Sequence, residues 1–313
     1  MNLVFLGTPS FAVPTLERIA SDGRRVLAVY TQPDRPKGRG GRLTASPVKE
    51  TALRLGLPIF QPERIRRPEA VEQLRAMHPD AMVVVGYGQI IPQSIIDIPQ
   101  LGIINVHASL LPRYRGAAPI QWAIANGEAR TGVTTMRIDA GLDTGDMLLK
   151  WETVIGPEEN ALDLSDRLAQ AGADLLAETL AGLEAGSIRP EPQNNALATL
   201  APILKKEDGV IDWNWPSRKI FDRARGFLPW PGAYSFFRGQ VFHIWRARVA
   251  DETPAQTTGR LFAEHKRMFV QCGDGTSLEL LEVQLEGRKR MPAEAFLNGQ
   301  HLNENESLGE TKE

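Results

Sequence analysis

The sequence contains one cysteine, Cys272, and five scattered histidines among its 313 residues. A single cysteine excludes an intramolecular disulfide and any zinc or iron–sulfur site built from several thiolates. No apolar run approaches the ~18 residues of a membrane helix. The first residues have neither the basic start of a signal peptide nor the Arg- and Ser-rich composition of a transit peptide. We therefore expect a cytoplasmic protein without a metal site.

A dinucleotide fingerprint is also missing where an oxidoreductase would carry it. The first predicted strand ends in Gly7-Thr8-Pro9, which does not fit the pattern G-x-G-x-x-G. This departure argues against a dehydrogenase. Thr8-Pro9 instead predicts the start of a helix capped by Thr8, and Ser46-Pro47 predicts a second helix by the same chemistry.

Apolar runs alternate with amphipathic segments in the first part of the chain. The run at 81–86 is continuous, as in a parallel strand buried on both faces. Further strands are predicted at 101–106 and 132–138, and a long helix is predicted at 161–184. Strands that alternate with helices in this way predict an α/β protein with a doubly wound sheet.

The pattern changes after this long helix. Residues 187–206 are rich in proline and asparagine and show no hydrophobic period, so we predict a linker. Short alternating segments separated by turn residues follow, and they predict a β domain in the form of a small barrel. The predicted organisation is a domain at 1–186, a linker at 187–206 and a second domain at 207–313.

Two polar residues stand at the end of the strand that finishes at His107. Asn105 and His107 are two residues apart, so their side chains point to the same face. Both can donate a hydrogen bond to an oxygen that becomes negative during acyl transfer. Asp143, in the Gly-rich segment 139–146, can orient the imidazole and move protons if the fold brings the two together. Spacing alone leaves a structural histidine and a turn aspartate as the alternative.

A basic segment lies between the second strand and the second helix. The net charge of the whole chain is only −2, but residues 33–49 hold five basic residues and one acidic residue, a local charge of +4. A loop of this length in a compact domain is usually functional or disordered. A solvated charged loop is the simpler alternative to a nucleic-acid contact.

Several of these segments resemble the folate-dependent formyltransferase family. The stretch from Asn105 to Ile120 resembles the family signature, and 141–146 resembles its second active-site motif. Residues 31–40 and two tryptophan-containing motifs, at 211–213 and 229–231, resemble the branch that acts on methionyl initiator tRNA. The resemblance runs from residue 2 to about residue 300.

The resemblance implies a Rossmann-like, mostly parallel N-terminal domain, a linker, and a smaller OB-like β-barrel domain that helps to hold tRNA. The implied reaction transfers the formyl group of 10-formyltetrahydrofolate, a cosubstrate, to the α-amino group of methionyl initiator tRNA. It needs no metal. We also expect a monomer.

The resemblance also implies roles for individual residues. The implied catalytic residues are Asn105, His107 and Asp143. The implied folate contacts are Ser109, Leu110, Leu111, Pro112, Gln89, Ile90, Ile91, Asp139 and Gly141. The implied tRNA contacts are Arg39, Arg35, Lys37 and Arg42, which would meet the acceptor stem, and Lys206.

Two alternatives remain at this point. A formyltransferase that acts on a nucleotide-linked amino sugar would share Asn105, His107 and the segment 109–112, although the basic loop argues against it. A non-catalytic tRNA-binding protein on a degenerate Rossmann scaffold would bind tRNA even without His107.

Overall fold

A computed structural model of the chain describes residues 1–37, 42–250, 257–303 and 305–309. The chain forms two compact units. Unit 1 comprises Met1–Pro119, Arg130–Val154 and Ser165–Ala201, and unit 2 comprises Ile120–Ala129, Ile155–Leu164 and Pro202–Glu313. The domain boundaries 1–186, 187–206 and 207–313 stay a prediction. Within the described residues, no helix is both long enough and apolar enough to span a membrane.

The strands of unit 1 are short, and most belong to one sheet. In chain order they are β1 (Asn2–Gly7), β2 (Arg25–Tyr30), β3 (Arg35–Lys37), β4 (Arg42–Thr44), β5 (Ile59–Phe60), β6 (Ala81–Val85), β7 (Ile103–His107), β8 (Arg115–Gly116), β9 (Arg130–Arg137), β10 (Met147–Val154) and β11 (Leu200–Ala201). The helices up to this point are α1 (Val13–Ser21), α2 (Pro47–Arg54), α3 (Pro68–Ala76), α4 (Gln93–Ile96), α5 (Pro119–Ala125) and α6 (Ala161–Glu184), with 3-10 segments at Ser10–Ala12 and Asn195–Leu197.

The main sheet has seven strands in the order β10-β9-β7-β6-β1-β2-β5. Strands β5, β2, β1, β6 and β7 are parallel, whereas β9 is antiparallel to both of its neighbours. The predicted mostly parallel, Rossmann-like sheet is therefore confirmed, and the structure shows that it is mixed. The strand order reverses at β1, and ligands bind at the carboxyl edge of the strands beside such a reversal.

The buried strand β6 lies at the centre of this sheet. All five of its residues are buried, as the continuous apolar run at 81–86 predicted. Val4 and Leu6 of β1, Tyr30 of β2 and Val84 of β6 belong to one core cluster. Burial of each such side chain contributes about 1.5–3 kcal/mol to the stability of the fold. The core therefore stabilises the three strands whose ends meet at this edge.

The two predicted helix caps have different outcomes. Ser46 caps α2, because its hydroxyl accepts a hydrogen bond from the Lys49 N–H at 3.0 Å. The predicted Thr8 cap is wrong, since the segment begins with a 3-10 turn and α1 starts at Val13. The Thr8 hydroxyl instead donates to the Tyr87 carbonyl at 3.1 Å, which ties the loop after β1 to the loop after β6.

Unit 2 contains an antiparallel sheet. Its strands are β12 (Ala233–Phe237), β13 (Gln240–Val249), β14 (Leu261–Glu264), β15 (Arg267–Gln271), β16 (Ser277–Leu285) and β17 (Met291–Pro292), and its further helices are α7 (Ser217–Gly226), α8 (Ala293–Gly299) and the 3-10 segment Lys206–Gly209. The strand order is β12-β13-β16-β15-β14, with β17 paired to β16. The predicted β domain is confirmed as a separate sheet, but among the described residues β12 and β14 do not pair into a closed barrel.

The segment 305–309 lies against both ends of this sheet. The Leu261 N–H donates to the Glu306 carbonyl at 2.8 Å, and the Gly309 N–H donates to the Phe236 carbonyl at 3.0 Å. The buried Glu306 carboxylate accepts hydrogen bonds from Arg238, and these hold the pKa of Glu306 below its usual range. The segment is thus fixed by main-chain and side-chain contacts within unit 2.

Candidate active site

The three predicted catalytic residues converge at the carboxyl end of β7. Asn105 and His107 project from the same side of β7, and Asp143 comes from the loop between β9 and β10. Asn105 Nδ2 lies 3.5 Å from Asp143 Oδ1, and His107 Nδ1 lies 3.7 Å from Asp143 Oδ2. In the part of the chain that the structure describes, no group of three or more His, Cys, Asp or Glu side chains could hold a metal ion.

Among the residues that the structure describes, the Asp143 carboxylate is fixed without a permanently charged partner. Its Oδ2 accepts a hydrogen bond from the Gly116 N–H at 2.8 Å, and its other described contacts are the Asn105 amide and the His107 ring. The latter two are longer than a strong hydrogen bond. Catalytic hydrogen bonds are often long in a free enzyme and shorten when substrate binds. The side chain is 18% exposed, so a small group or water can reach it.

A hydrogen bond to the main chain indicates which ring nitrogen of His107 is protonated. His107 Nε2 lies 2.9 Å from the Tyr114 carbonyl oxygen, which can only accept, so Nε2 carries a hydrogen. Nδ1 faces Asp143. The sequence predicted that His107 can donate to an oxyanion. The structure uses the Nε2–H for a main-chain hydrogen bond and leaves Nδ1 for that role.

The segment predicted to contact folate after β7 is held through its main chain. The Thr134 hydroxyl donates to the Ser109 carbonyl at 2.7 Å and accepts from the Leu111 N–H at 3.1 Å, while the Ser109 hydroxyl donates to the Arg113 carbonyl at 2.6 Å. The Leu111 side chain is buried in a cluster with Met136. The Leu111 side chain therefore packs segment 109–112 against Met136.

Leu110 and Pro112 are half-buried, whereas Leu111 is buried. Their partial exposure leaves them accessible to a ligand at the same edge of the sheet.

The predicted folate contacts after β6 divide into two kinds. The Gln89 amide is occupied by main-chain groups, because it accepts from the Ile65 N–H at 2.7 Å and donates to the Pro62 carbonyl at 3.1 Å. Ile90 is 90% exposed, and Ile91 packs partly against the core. Of these three side chains, Ile90 thus has the most exposed surface for contact with the ring system of folate.

Asp139 shapes the loop that carries Asp143. Its Oδ1 accepts from the Gly141 N–H at 3.0 Å and from the Thr144 hydroxyl at 2.7 Å. This is the local turn chemistry typical of aspartate. Asp139 and Gly141 therefore belong to the predicted site through the shape of the loop.

A crevice of about 550 Å³ opens at the same edge of the sheet, over the ends of β1, β2 and β6. The Thr8 hydroxyl and the Gln32 amide both donate to the Tyr87 carbonyl at 3.1 Å, which joins the three strand ends. A volume of this size is typical of ligand sites. The residues that line the crevice are Thr8, Pro9, Gln32, Pro33, Arg35, Pro36, Thr44, Ala45, Ser46, Pro47, Gly86, Tyr87 and Gly88.

Two short strands, β3 and β4, lie in the basic segment 33–49. Strands β3 and β4 pair as an antiparallel ribbon in which Arg35 stands opposite Thr44. The Lys49 ammonium lies 2.6 Å from the Asp34 carboxylate, and its hydrogen bond holds the pKa of Asp34 below the usual range. Lys49 is thus neutralised, while the Arg35 side chain is exposed.

The other predicted tRNA contacts are less defined. Arg39 lies outside the described residues, and of Lys37 and Arg42 the structure describes the paired main chain. Lys206 is exposed at the start of a 3-10 segment in unit 2. Among the predicted tRNA contacts, the side chains of Arg35 in unit 1 and Lys206 in unit 2 are described, and both are exposed.

Sequence reasoning missed a second layer around the site. The buried Arg115 and the amides of Gln193 and Asn195 form a hydrogen-bonded cluster next to the Asp143 loop. Gln193 and Asn195 fall in the segment predicted as a linker, where composition and period give no signal for a site. The antiparallel bridge between Met147 and Glu191 joins that segment to unit 1.

Comparison with known proteins identifies the family. Residues 1–180 match the formyl transferase family, and residues 203–301 match the formyl transferase C-terminal domain. Over 310 residues the chain is 64% identical to the methionyl-tRNA formyltransferase of Solibacter usitatus and 60% identical to that of Koribacter versatilis; each alignment covers 99% of both proteins. The chain belongs to the methionyl-tRNA formyltransferase family. The family resemblance predicted from short segments is therefore confirmed.

A solved structure shows the same fold. The N-formyltransferase of Helicobacter canadensis, in complex with folinic acid and dTDP-3-aminofucose, matches with a TM-score of 0.66 over 89% of this chain and 98% of that chain. The sequence identity is 17%, so this likeness concerns the fold alone.

Proposed function

We propose that this protein transfers the formyl group of 10-formyltetrahydrofolate to the α-amino group of methionyl initiator tRNA. The observation that carries the proposal is the convergence of Asn105, His107 and Asp143 in a chain 64% identical, over almost its full length, to a methionyl-tRNA formyltransferase. The reaction is formyl transfer, in which one carbon–nitrogen bond forms and another breaks.

The chemical step begins when the neutral amine attacks the formyl carbon. The carbonyl oxygen then becomes negative, and the Asn105 amide is placed to donate to it, because its contact with Asp143 is long and easily exchanged. When the tetrahedral intermediate collapses, the bond from carbon to the folate nitrogen breaks. The amine has lost a proton by then, and the folate nitrogen gains one.

Asp143 and His107 handle these protons and the developing charge. The Asp143 carboxylate, held by the Gly116 N–H, accepts the proton of the attacking amine directly or through a water. A protonated Nδ1 of His107 donates to the oxyanion and then gives its proton to the leaving nitrogen, and the proton held by Asp143, whose Oδ2 lies 3.7 Å from Nδ1, replaces it. Because Nε2 is already bonded to the main chain, the ring keeps its orientation through both steps.

The folate cosubstrate is assigned to the carboxyl edge of β6 and β7. The main-chain bonds of Ser109 and Leu111 and the exposed face of Ile90 support this placement. The Helicobacter canadensis relative, which shares the fold, holds folinic acid. In our proposal Leu110 and Pro112 contact the cosubstrate from the opposite side.

The tRNA is assigned to the basic ribbon, which is the pair of strands β3 and β4, and to unit 2. Arg35, with Lys37, Arg39 and Arg42, supplies phosphate contacts at the acceptor stem, and Lys206 supplies a further one. We keep the OB-like barrel as our proposal for residues 207–313. The bonds of segment 305–309 to the two end strands of the sheet support it.

We further propose a monomer in the cytoplasm, where charged initiator tRNA meets the ribosome. Sedimentation of the purified chain tests the first point, and fractionation of cells tests the second.

The test of the main proposal is a formyl-transfer assay with matched acceptors. Purified protein receives 10-formyltetrahydrofolate with methionyl initiator tRNA in one reaction and a nucleotide-linked amino sugar in a second. We expect product on the tRNA only. Product on the sugar alone would replace the acceptor but keep the site. Tight tRNA binding without transfer, unchanged in a His107→Ala variant, would favour the non-catalytic alternative.

A further inference from the structure

The Gln193 side chain joins the loop that carries Asp143 to the buried Arg115 within unit 1. Its Nε2 donates to the carbonyl oxygens of Asp143 and Gly145, each at 2.8 Å. Its Oε1 accepts two hydrogen bonds from the Arg115 guanidinium, at 2.9 Å from Nε and 2.7 Å from Nη2. All four hydrogen-bonding positions of the amide group are therefore used.

The orientation of this amide is determined by its partners. A guanidinium can only donate and a main-chain carbonyl can only accept, so exchanging the amide oxygen and nitrogen would break every one of these bonds. Arg115 is itself buried, and its Nη2 also donates to Asn195 Oδ1 at 2.8 Å. The cluster thus holds Gln193 in one orientation, with its N–H groups toward the Asp143 loop.

The Asp143 loop needs such support. Asp143 has φ +51°, a left-handed conformation that is uncommon for residues other than glycine. Strain of this kind persists where the surroundings hold it in place. Gln193 binds the carbonyl of the strained residue itself, and the Gly116 N–H binds its carboxylate.

The position of Gly116 is set by the same stretch of chain. Strand β11 pairs with β8, and a Cβ added at Gly116 would lie 2.6 Å from the Ala201 carbonyl oxygen. Residues 193–201 therefore hold Asp143 from two sides, through its carbonyl and through the donor to its carboxylate.

From these contacts we infer that Gln193, oriented by Arg115, is a positioning residue for the reaction and fixes Asp143 at the distance at which it serves Asn105 and His107. The inference rests on the proposed function. A misplacement of about 1 Å at a reacting group can lower a rate by about 100-fold. Loss of Gln193 therefore lowers kcat rather than the affinity for either substrate.

The variant that tests this is Gln193→Glu, with Asn195→Asp as its matched control. Each variant places a carboxylate against Arg115, but only Gln193→Glu replaces the N–H groups that hold the Asp143 loop with an oxygen. We expect Gln193→Glu to lower kcat by about 10- to 100-fold with KM for both substrates within about threefold. Asn195→Asp should keep kcat within about threefold. Equal losses in the two variants would overturn the inference.

A second pair of variants separates positioning from general loss of structure. If Gln193 acts through Asp143, Gln193→Glu should lower kcat strongly in the wild type and by less than about threefold in an Asp143→Asn background. The same large factor in both backgrounds would contradict the role. Gln193→Met, which keeps the chain length but loses the N–H donors and the strong carbonyl acceptor, should lower kcat by about tenfold or more. A wild-type kcat in Gln193→Met would overturn the inference even if Gln193→Glu did not fold.

A readout that needs no substrate distinguishes this inference from the proposed function. Amide hydrogen exchange of residues 139–146 should be faster in Gln193→Glu than in Asn195→Asp or the wild type. Unchanged exchange would remove the positioning role. If the wild type failed to formylate methionyl initiator tRNA, the proposed function would fall, while the exchange result would still decide whether Gln193 holds the loop.

Discussion

Asp143 is partly exposed and Glu279 is buried, and their surroundings also differ in charge. The Asp143 carboxylate meets a main-chain N–H, the Asn105 amide and the His107 ring. The Glu279 carboxylate, 5% exposed, is held by two guanidinium groups. Hydrogen bonds from the arginines, the strongest from Arg267, hold the pKa of Glu279 below its usual range.

The difference teaches how to tell a working carboxylate from a structural one. Two arginines compensate the charge of Glu279. The ion pairs therefore serve to join β13, β15 and β16 within unit 2. Asp143 is held by neutral donors and an ionisable ring, so its charge remains available to an incoming group. The predictions that follow test this contrast.

The largest effect is expected for Asp143→Asn. The substitution keeps the shape of the side chain and removes its charge, so kcat for formyl transfer should fall by about 100- to 10,000-fold. The thermal midpoint should change little. Glu279→Gln is the matched control, since it makes the same chemical change in unit 2 and should leave kcat within about twofold. Full activity in Asp143→Asn would remove the carboxylate from the mechanism.

Asn105→Ala should cause the next largest loss. Removing one donor to an oxyanion typically lowers kcat by about 100- to 1,000-fold, while KM for folate and tRNA should stay close to the wild-type values. Steady-state kinetics with each substrate varied in turn measures both quantities. A rise in KM with normal kcat would instead make Asn105 a binding residue.

Glu279→Gln should lower stability where Asp143→Asn lowers activity. The hydrogen bonds of the carboxylate to Arg248 and Arg267 become weaker, which should reduce the free energy of unfolding by about 2 kcal/mol. Urea unfolding followed by tryptophan fluorescence measures this change, since five of the six tryptophans lie in unit 2. An unchanged midpoint would show that exposure of the two arginines to solvent cancels the ion pairs.

The stability contribution of Glu279 should depend on pH with a definite sign. Its folded pKa is lowered, so the contribution is complete above the unfolded pKa of about 4.3 and is lost as pH falls through the folded pKa. The wild type should lose stability between about pH 5 and pH 3, and Glu279→Gln should lose less over this interval. Parallel loss in both proteins would assign the acid dependence to other groups, such as Glu306.

The smallest effect is expected at the basic ribbon. Arg35→Ala should raise KM for tRNA several-fold and reduce the slope of log affinity against log salt by about 1. The KM for 10-formyltetrahydrofolate should not change. Arg54→Ala, at the exposed end of α2, is the control and should leave both unchanged. A loss of folate affinity in Arg35→Ala would contradict the assignment of the ribbon to tRNA.

Much of the fold of unit 1 could be predicted from local pattern. The continuous apolar run at β6 and the polar pair at the end of β7 follow from short stretches of sequence, because burial and strand alternation act on neighbouring residues. Ser46 caps its helix for the same reason. Thr8 does not, because the Tyr87 carbonyl, distant in sequence, accepts its hydroxyl.

The sequence alone determined the residue types of the site and the family that carries them. Tertiary structure decided what supports them: the tautomer of His107, the left-handed Asp143 and the amide of Gln193, which lies in a segment without periodic pattern. These features depend on hydrogen bonds between residues 7 to 78 positions apart. Local propensity and periodicity hold no information about such partners, whereas a folded sheet that gathers strand ends at one edge creates them.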